Sequence, residues 1–125
     1  MAEHNKLGIK GEKLALQFLL ENNYKVLEQN WRYKRAEVDI IAKKDNWIII
    51  VEVKTRSTEL FAEPGDSITN NKMKMLTNAA QAYILEHDLE NEVRFDVIYI
   101  ISSGSSTKIN HIENAFYPFA SEMDD

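Results

Sequence analysis

Two strongly apolar segments that each contain acidic residues constrain the fold of this chain more than any other feature. The first runs from Glu37 to Lys43 and the second from Trp47 to Lys54, and a turn-forming Asp-Asn pair separates them at positions 45 and 46. Short runs rich in β-branched residues on both sides of such a turn are typical of a β-hairpin. The sequence therefore predicts two adjacent strands that carry acids inside otherwise buried stretches.

The segments around this hairpin predict two helices and three further strands. Apolar residues recur at helical spacing from Leu7 to Leu20 and from Ile68 to His87, the second with Thr69 or Ser67 as N-cap. The remaining β-type segments are Tyr24 to Tyr33, Val93 to Ile101 and Lys108 to Glu113. The predicted order is α-β-β-β-α-β-β, with a meander in the first three strands. Residues 57–67 predict a functional or mobile loop, and residues 102–107 predict a flexible linker.

Length and composition restrict the class of protein. A chain of 125 residues with 44% hydrophobic positions fits one domain, residues 1–125. No uninterrupted apolar run reaches the roughly 20 residues of a membrane span, no secretory signal is recognisable, and cysteine is absent. We therefore expect a soluble, cytoplasmic protein without membrane partners. The net charge of −5 argues against coating nucleic acid through a global positive field, although cations cluster between residues 32 and 56.

The acidic residues of the hairpin predict a metal-binding site. Alternation places Glu52 and Lys54 on one face of their strand, and Asp39 can lie opposite Glu52 across the hairpin. If the two were paired directly, their Cβ atoms would lie about 5 Å apart, so the carboxylates would repel unless a cation lay between them. Oxygen ligands without cysteine favour Mg²⁺ or Mn²⁺. Taken alone, Glu-x-Lys is more often a solvent-facing ion pair, and Glu37 could add a carboxylate or pair with Arg35 or Lys34.

Together, these residues resemble a known family. Asp39, twelve intervening residues and then Glu52-Val53-Lys54 resemble the PD-(D/E)xK nuclease motif. Nearly the whole chain resembles the bacterial YraN family, through Gly11-Glu12, residues 36–42 and 51–56, Lys72 and residues 94–97. That family's fold is similar to archaeal Holliday-junction resolvases, which implies an α/β, restriction-endonuclease-like core with a mixed central sheet flanked by helices. Ala36 stands where the family usually has glycine, and valine rather than proline precedes Asp39.

The resemblance also implies roles. Asp39 and Glu52 would hold the ion, Lys54 would stabilise developing charge or orient the nucleophile, and Glu12 would be an outer ligand. Glu12 could instead be a solvated helix residue. The implied activity is metal-dependent endonuclease action on branched or structured DNA by a possible homodimer, because a four-way junction is two-fold symmetric. A non-catalytic nucleic-acid-binding module with the same fold is the alternative, and a protein that pairs a strand edge with a partner ranks last.

Several other residues are candidates for contacts with DNA. The cations predicted to contact phosphates are Arg32, Lys34, Arg35, Arg56 and Lys72. For the cations between residues 32 and 56, a solvated strand edge is an equally good explanation. Lys72 could instead be an ordinary surface lysine. Trp31 and Tyr33 could stack on bases or belong to a half-exposed strand. Asp96 is predicted to cap a loop or pair with Arg94, and the three histidines, His4, His87 and His111, are predicted to be exposed.

Overall fold

The computed structural model describes residues 3–57 and 68–117, with side chains from residue 8 onward in the first segment. Two helices and five strands form in the predicted order. Their bounds are α1 (Glu3–Glu21), β1 (Lys25–Tyr33), β2 (Ala36–Lys44), β3 (Trp47–Arg56), α2 (Asn70–Glu86), β4 (Glu92–Ser103) and β5 (Ser106–Phe116). Neither helix carries an apolar stretch of the length that a bilayer crossing needs.

The five strands form one mixed sheet in the order β1-β2-β3-β4-β5. The pairs β1/β2, β2/β3 and β4/β5 are antiparallel, which confirms the predicted meander, whereas β3 and β4 are parallel. Parallel neighbours need a crossover connection, and α2 lies in that connection. The protein therefore has the predicted restriction-endonuclease-like α/β core, in which a mixed sheet is flanked by helices.

Each helix covers one face of the sheet. Leu76, Ala80 and Tyr83 of α2 pack in a cluster with Ile50 and Phe95. A second cluster, on the α1 side, consists of Ala15, Leu19, Tyr24, Ile40, Ala42, Ile49, Val51, Ile98 and Ile100. The centre of β3 is buried on both faces, which explains its continuous apolar run where a one-sided strand would alternate.

The predicted linker after β4 is wrong. Ser102 and Ser103 continue β4, and Ser106 and Thr107 begin β5. In the ladder, Ser102 pairs with Thr107 and Ser103 pairs with Ser106. Gly104 has a φ of 61°, which a tight hairpin turn readily accepts from glycine. The chain therefore turns within two residues, and β5 extends beyond the predicted Lys108 to Glu113. Of the predicted loop at 57–67, residues 58–67 lie outside the part of the chain that the structure describes.

Gly11 sets the close approach between α1 and β3. A Cβ atom built on Gly11 would overlap the hydroxyl oxygen of Thr55, with the Cβ and Cγ2 atoms of Thr55 at 3.1 and 3.2 Å. By contrast, a Cβ on Gly8 of the same helix would meet no heavy atom within 4 Å. Gly11 is therefore the residue that lets α1 approach the strand carrying Glu52, and Glu12 follows it directly.

We expect Gly11→Ala to lower the free energy of unfolding by about 1 to 3 kcal/mol, because overpacking against Thr55 outweighs the better helix propensity of alanine. Gly8→Ala is the matched control, and it should be neutral or stabilising by up to about 1 kcal/mol. Urea unfolding followed by tryptophan fluorescence measures both. Equal changes for the two variants would contradict the packing argument, and Gly11→Ala combined with Thr55→Ala should recover part of the loss.

Candidate functional site

At Asp39, alternate residues of β2 switch from one face of the sheet to the other. Val38 belongs to the α2-side core, but Ile40 belongs to the α1-side core, although strict alternation would place both on one face. The backbone ladder between β2 and β3 runs from the pair Lys44–Trp47 to the pair Ile40–Val51 and ends there. At that point the Asp39 Oδ2 atom accepts a hydrogen bond of 2.8 Å from the backbone N–H of Val53. The carboxylate therefore bridges the two strands where their ladder ends.

Glu52 is the most unusual acid in the described part of the chain. Its side chain is only 14% exposed, and its Oε2 atom lies 3.7 Å from Lys72 Nζ. Its other carboxylate oxygen, Oε1, is buried without a hydrogen-bond partner among the described residues. A buried carboxylate oxygen without a partner costs free energy, so its retention indicates a use that outweighs stability.

The two acids perturb each other. Burial and, after it, the charge of Asp39 raise the pKa of Glu52 to about 7, although the charges of Lys72 and Lys54 oppose the increase. Burial also raises the pKa of Asp39, while the amide of Val53 and the charge of Lys72 lower it. The two carboxyls therefore interact directly, and this interaction raises the pKa of Glu52. Asp39 and Glu52 are therefore neighbours, as the sequence predicted.

This perturbation predicts how stability depends on pH in EDTA. Since the folded-state pKa of Glu52 is raised from 4.5 to about 7, the native state retains a proton that the unfolded chain releases between those values. Stability therefore falls as pH rises through this window, by about 2 kcal/mol. Glu52→Gln removes the effect, so the variant should match the wild type near pH 4.5 and exceed it at pH 8. Urea unfolding at both pH values tests this, with Glu92→Gln, an exposed residue, as control.

Glu12 approaches the same region from α1. Burial raises the pKa of Glu12, and the charges of Asp39 and Glu37 raise it further, whereas a hydrogen bond with the Asn30 side chain lowers it. The position of Glu12 therefore fits its prediction as an outer residue of the site. Its role as a ligand stays a prediction. The charge of Glu37 also raises the pKa of Asp39. The Glu37 carboxylate itself forms an ion pair with Arg32, at 3.7 Å.

Asn30 is a site residue that the sequence did not reveal. The pairs Gln29 with Ile40 and Trp31 with Val38 flank it in the ladder, so it lies opposite Asp39 on the neighbouring strand. Its φ of 51° is a left-handed conformation that asparagine tolerates better than most residues. An asparagine inside a predicted strand was the available signal, since this residue type is depleted there.

Two lysines face the acidic pair from different elements. Lys54 is half-buried on β3, where it stands opposite Tyr99 of β4. Lys72 lies in the first turn of α2, whose N-cap Thr69 accepts a 3.2 Å hydrogen bond from the Lys72 amide. The side chain of Lys72 is 34% exposed and forms an ion pair with Glu52, and its contact with a phosphate stays a prediction.

The other candidate cations lie around the β1–β2 turn or at the end of β3. The Arg32 side chain is 66% exposed, Lys34 Nζ lies 5.3 Å above the ring of Tyr33, and Arg56 Nη1 donates to the carbonyl oxygen of Thr55 at 3.0 Å. Arg35 lines an open groove of about 470 Å³ between the β1–β2 turn and α2. The groove is lined by Tyr33, Lys34, Arg35, Ala36, Asn71, Met75 and Asn78.

Trp31 has protein partners on β1 and α2. Its ring stacks parallel to Tyr33 at 6.4 Å and contacts Tyr83 edge-on at 5.2 Å. Both Trp31 and Tyr33 are partly buried against the α2-side core. The half-exposed strand that the sequence allowed is therefore present, and contact with bases stays a prediction.

A second buried polar cluster lies in β4 and β5. The Asp96 side chain is 0% exposed, and Arg94 Nε and Nη2 donate to its two oxygens, each at 2.9 Å. His111 Nε2 lies 2.7 Å from Asp96 Oδ2, and the backbone N–H of Asn114 donates to Asp96 Oδ1 at 3.0 Å. The predicted pairing with Arg94 is confirmed. The predicted exposure of His111 is wrong, since its side chain is 10% exposed, whereas His87 is exposed as predicted. The side chain of His4 lies outside the described residues.

The cluster centred on Asp96 is satisfied in a way that the Asp39–Glu52 pair is not. Burial would raise the pKa of Asp96, but hydrogen bonds from His111, Arg94 and the Asn114 amide hold it below its ordinary value. Every partner of Asp96 is a donor within 3.0 Å. This arrangement is typical of a structural ion pair, whereas the unpartnered oxygen of Glu52 is typical of a site that accepts a ligand.

The donor set at Asp39 and Glu52 suits a hard divalent cation. Within residues 3–57 and 68–117, no three carboxylates or imidazoles come together as a preformed cage. Mg²⁺ requires no such cage, because it keeps several waters and commonly binds one or two carboxylates. Two adjacent carboxyls, one with a buried free oxygen, fit that demand. The residues that could hold such an ion are therefore Asp39 and Glu52.

The fold and the carboxylate-bearing hairpin define an α/β protein with a restriction-endonuclease-like core. Residues 11–100 match the model of the family described as "Uncharacterised protein family UPF0102". The chain belongs to this family, which is the YraN family that the sequence resembles.

The sequence similarity to relatives in this family extends over nearly their whole length. The chain is 50% identical over 119 residues to a UPF0102 protein of Christiangramia forsetii, covering 95% of this chain and 100% of that one. A UPF0102 protein of Bacteroides thetaiotaomicron is 45% identical over 94% of this chain and 98% of its own. Among solved structures, SSO0001 aligns with a TM-score of 0.46 and 21% identity, over 98% of this chain and 56% of that chain, a similarity too low to inform function.

Proposed function

We propose that this protein is a Mg²⁺- or Mn²⁺-dependent endodeoxyribonuclease that hydrolyses phosphodiester bonds in branched or structured DNA. The observation that carries the proposal is the buried pair of Asp39 and Glu52, with one oxygen of Glu52 left without a hydrogen-bond partner in the described part of the chain. Two adjacent acids whose charges repel are destabilising unless a cation lies beside them, and phosphodiester hydrolysis is a reaction that such an ion promotes.

Each residue around the pair has a task that suits its chemistry. Asp39 and Glu52 would hold the ion, and the 2.8 Å bond from the Val53 amide keeps the Asp39 carboxylate oriented. The ion, when bound, would polarise the scissile phosphate and lower the pKa of a water molecule. Lys54, on the same strand as Glu52, would stabilise the charge that develops on the phosphate. Glu12, which receives a hydrogen bond from Asn30, would act from the outer side of the site.

DNA would be bound by local positive charge, because the whole chain is acidic. Arg32, Lys34 and Arg35 lie around the β1–β2 turn, next to the groove of about 470 Å³ that also borders the start of α2. Arg56 is at the C-terminal end of β3, beyond Lys54. Cations within a Debye length of about 8 Å of a phosphate attract it despite a negative total charge. A homodimer would allow paired cuts in a two-fold symmetric junction.

A binding module without turnover is the second candidate. The observation that favours it is the ion pair between Glu52 and Lys72, because a lysine already neutralises part of the charge that a metal ion would neutralise. Such a module would bind DNA through the same cations and would leave it intact with every divalent ion.

The test is a cleavage assay on the purified protein. Four-way junction, flap, single-stranded and linear duplex DNA would each be incubated with Mn²⁺, Mg²⁺ or EDTA, and the products resolved on a denaturing gel. We expect cleavage of the branched substrates that depends on the metal ion and is abolished by EDTA. Retained affinity in a gel-shift assay without any product would favour the binding module, and failure both to cut and to bind would exclude both candidates.

A further inference from the structure

Lys72 stands where it acts on both carboxylates of the site. Its Nζ atom lies 3.7 Å from Glu52 Oε2, and its charge lowers the pKa of Glu52 and of Asp39. A separation of 3.7 Å is longer than the roughly 2.7 to 3.2 Å of a protein hydrogen bond to nitrogen, so the attraction is that of two charges. Lys72 is thus a cation beside the acidic pair that has not closed to hydrogen-bonding distance.

The position of Lys72 on its helix is unfavourable by itself. It lies in the first turn of α2, which contains no acidic residue. The N-terminus of a helix carries partial positive charge, so a lysine there is repelled where an acid would be stabilised. The acidic pair on β3 and β2 compensates for this placement. The helix therefore presents a positive charge, from both its dipole and Lys72, toward Asp39 and Glu52.

The geometry points to Lys72 as the resident counter-ion of the Asp39–Glu52 pair, displaced when a divalent cation binds and thereby released to contact the phosphate of the substrate. The inference rests on the proposed function, since the cation is the one that the proposal assigns to Asp39 and Glu52. The ammonium of Lys72 and the metal ion attract the same carboxylates and repel each other, so the two compete.

Competition gives a result that the other roles of a lysine do not give. Removing the charge of Lys72 removes both the competitor and a source of repulsion, so a divalent ion should bind more tightly. A surface lysine without such a role would leave the affinity unchanged, and a lysine that orients Glu52 for the ion would weaken the affinity when replaced. The direction of the change therefore separates the three roles, without any measurement of cleavage.

The experiment measures Mn²⁺ affinity from the electron paramagnetic resonance signal of the free ion, at constant ionic strength and at one pH well above 7, so that both acids are ionised in every variant. Lys72→Met retains the length of the side chain, and Lys43→Met, at an exposed position of β2, removes the same charge elsewhere. We expect Lys72→Met to bind Mn²⁺ roughly fivefold more tightly than the wild type, with Lys43→Met near the wild type. Lys72→Gln provides a second neutral variant if methionine impairs folding, and Lys72→Arg should retain the affinity of the wild type.

A metal-free measurement completes the test. In EDTA, Lys72→Met should melt roughly 2 to 4 °C below Lys43→Met, because the acidic pair has lost its counter-ion. Unchanged or weaker Mn²⁺ affinity in Lys72→Met, while Glu52→Ala abolishes binding, would overturn this inference and leave the proposed function intact. Equal Mn²⁺ binding by the wild type and Glu52→Ala would instead overturn the metal site of the proposed function, and the exchange with it.

Discussion

Glu52→Ala is expected to reduce metal-dependent cleavage of branched DNA by about a hundredfold or more, because it removes one of the two carboxylates proposed to hold the ion. The loss should appear as a lower rate of product formation at saturating metal and substrate. Affinity for DNA in EDTA should remain within about twofold of the wild type, since Arg32, Lys34 and Arg35, which are proposed to contact phosphates, lie around the β1–β2 turn. The gel assay and a gel-shift titration measure the two quantities.

Glu92→Ala is the matched control for that variant. Glu92 is an exposed glutamate that begins β4 and pairs with Trp47, which precedes Glu52 by five residues on β3. Cleavage by the control at the wild-type rate, together with loss in Glu52→Ala, would assign the activity to the site. Unchanged cleavage in Glu52→Ala would instead indicate a contaminating nuclease or another site, and would reject the roles proposed for Asp39 and Glu52.

The positions of Asp39 and Glu52 were predictable because they depend on local sequence. A turn at residues 45 and 46, with apolar strands on both sides, is sufficient to bring the acids together, and the structure contains that hairpin. The detailed pairing was not predictable. β2 changes its buried face between Val38 and Ile40, and Asp39 bonds to the amide of Val53 where the ladder ends. This change depends on packing against both helices, which the pattern of a single strand does not specify.

Residues that reach the site or its support from distant elements were harder to predict. Asn30 lies opposite Asp39 only because β1 pairs with β2 in a register shifted between Val26 and Glu28. The ion pair of Lys72 with Glu52 depends on the angle at which α2 crosses the sheet. His111 is covered because β5 pairs with β4, which places its ring against Asp96. Each contact joins residues on different elements, at least nine positions apart in the sequence, so local periodicity contains no signal for it.

The largest effect on stability is expected at Asp96. Asp96→Ala should lower the free energy of unfolding by about 3 to 5 kcal/mol, because it leaves the buried Arg94 without its counter-ion. The side chains of Arg94 and His111 are 13% and 10% exposed, so water replaces the lost acceptor poorly. Among the described residues, Arg94 then retains its 3.0 Å bond to the Tyr24 hydroxyl and a looser contact of 3.6 Å with Glu113.

Urea unfolding of Asp96→Ala at pH 7 in EDTA tests this expectation, with Glu92→Ala from the same strand as control. The control should change stability by less than about 0.5 kcal/mol, as surface substitutions usually do. If the variant is too unstable to purify, Asp96→Asn retains the shape and one acceptor oxygen, and it should still be destabilised because its amide group faces donors. A loss below about 1 kcal/mol in Asp96→Ala would show that the cluster contributes little, since Arg94 would then have found other partners. A large loss in Asp96→Ala, together with the gain expected for Glu52→Gln at pH 8, would establish that the two buried acidic clusters of this sheet differ in purpose: the Asp96 cluster would hold β4 and β5 together, and the Asp39–Glu52 pair would lower stability at neutral pH.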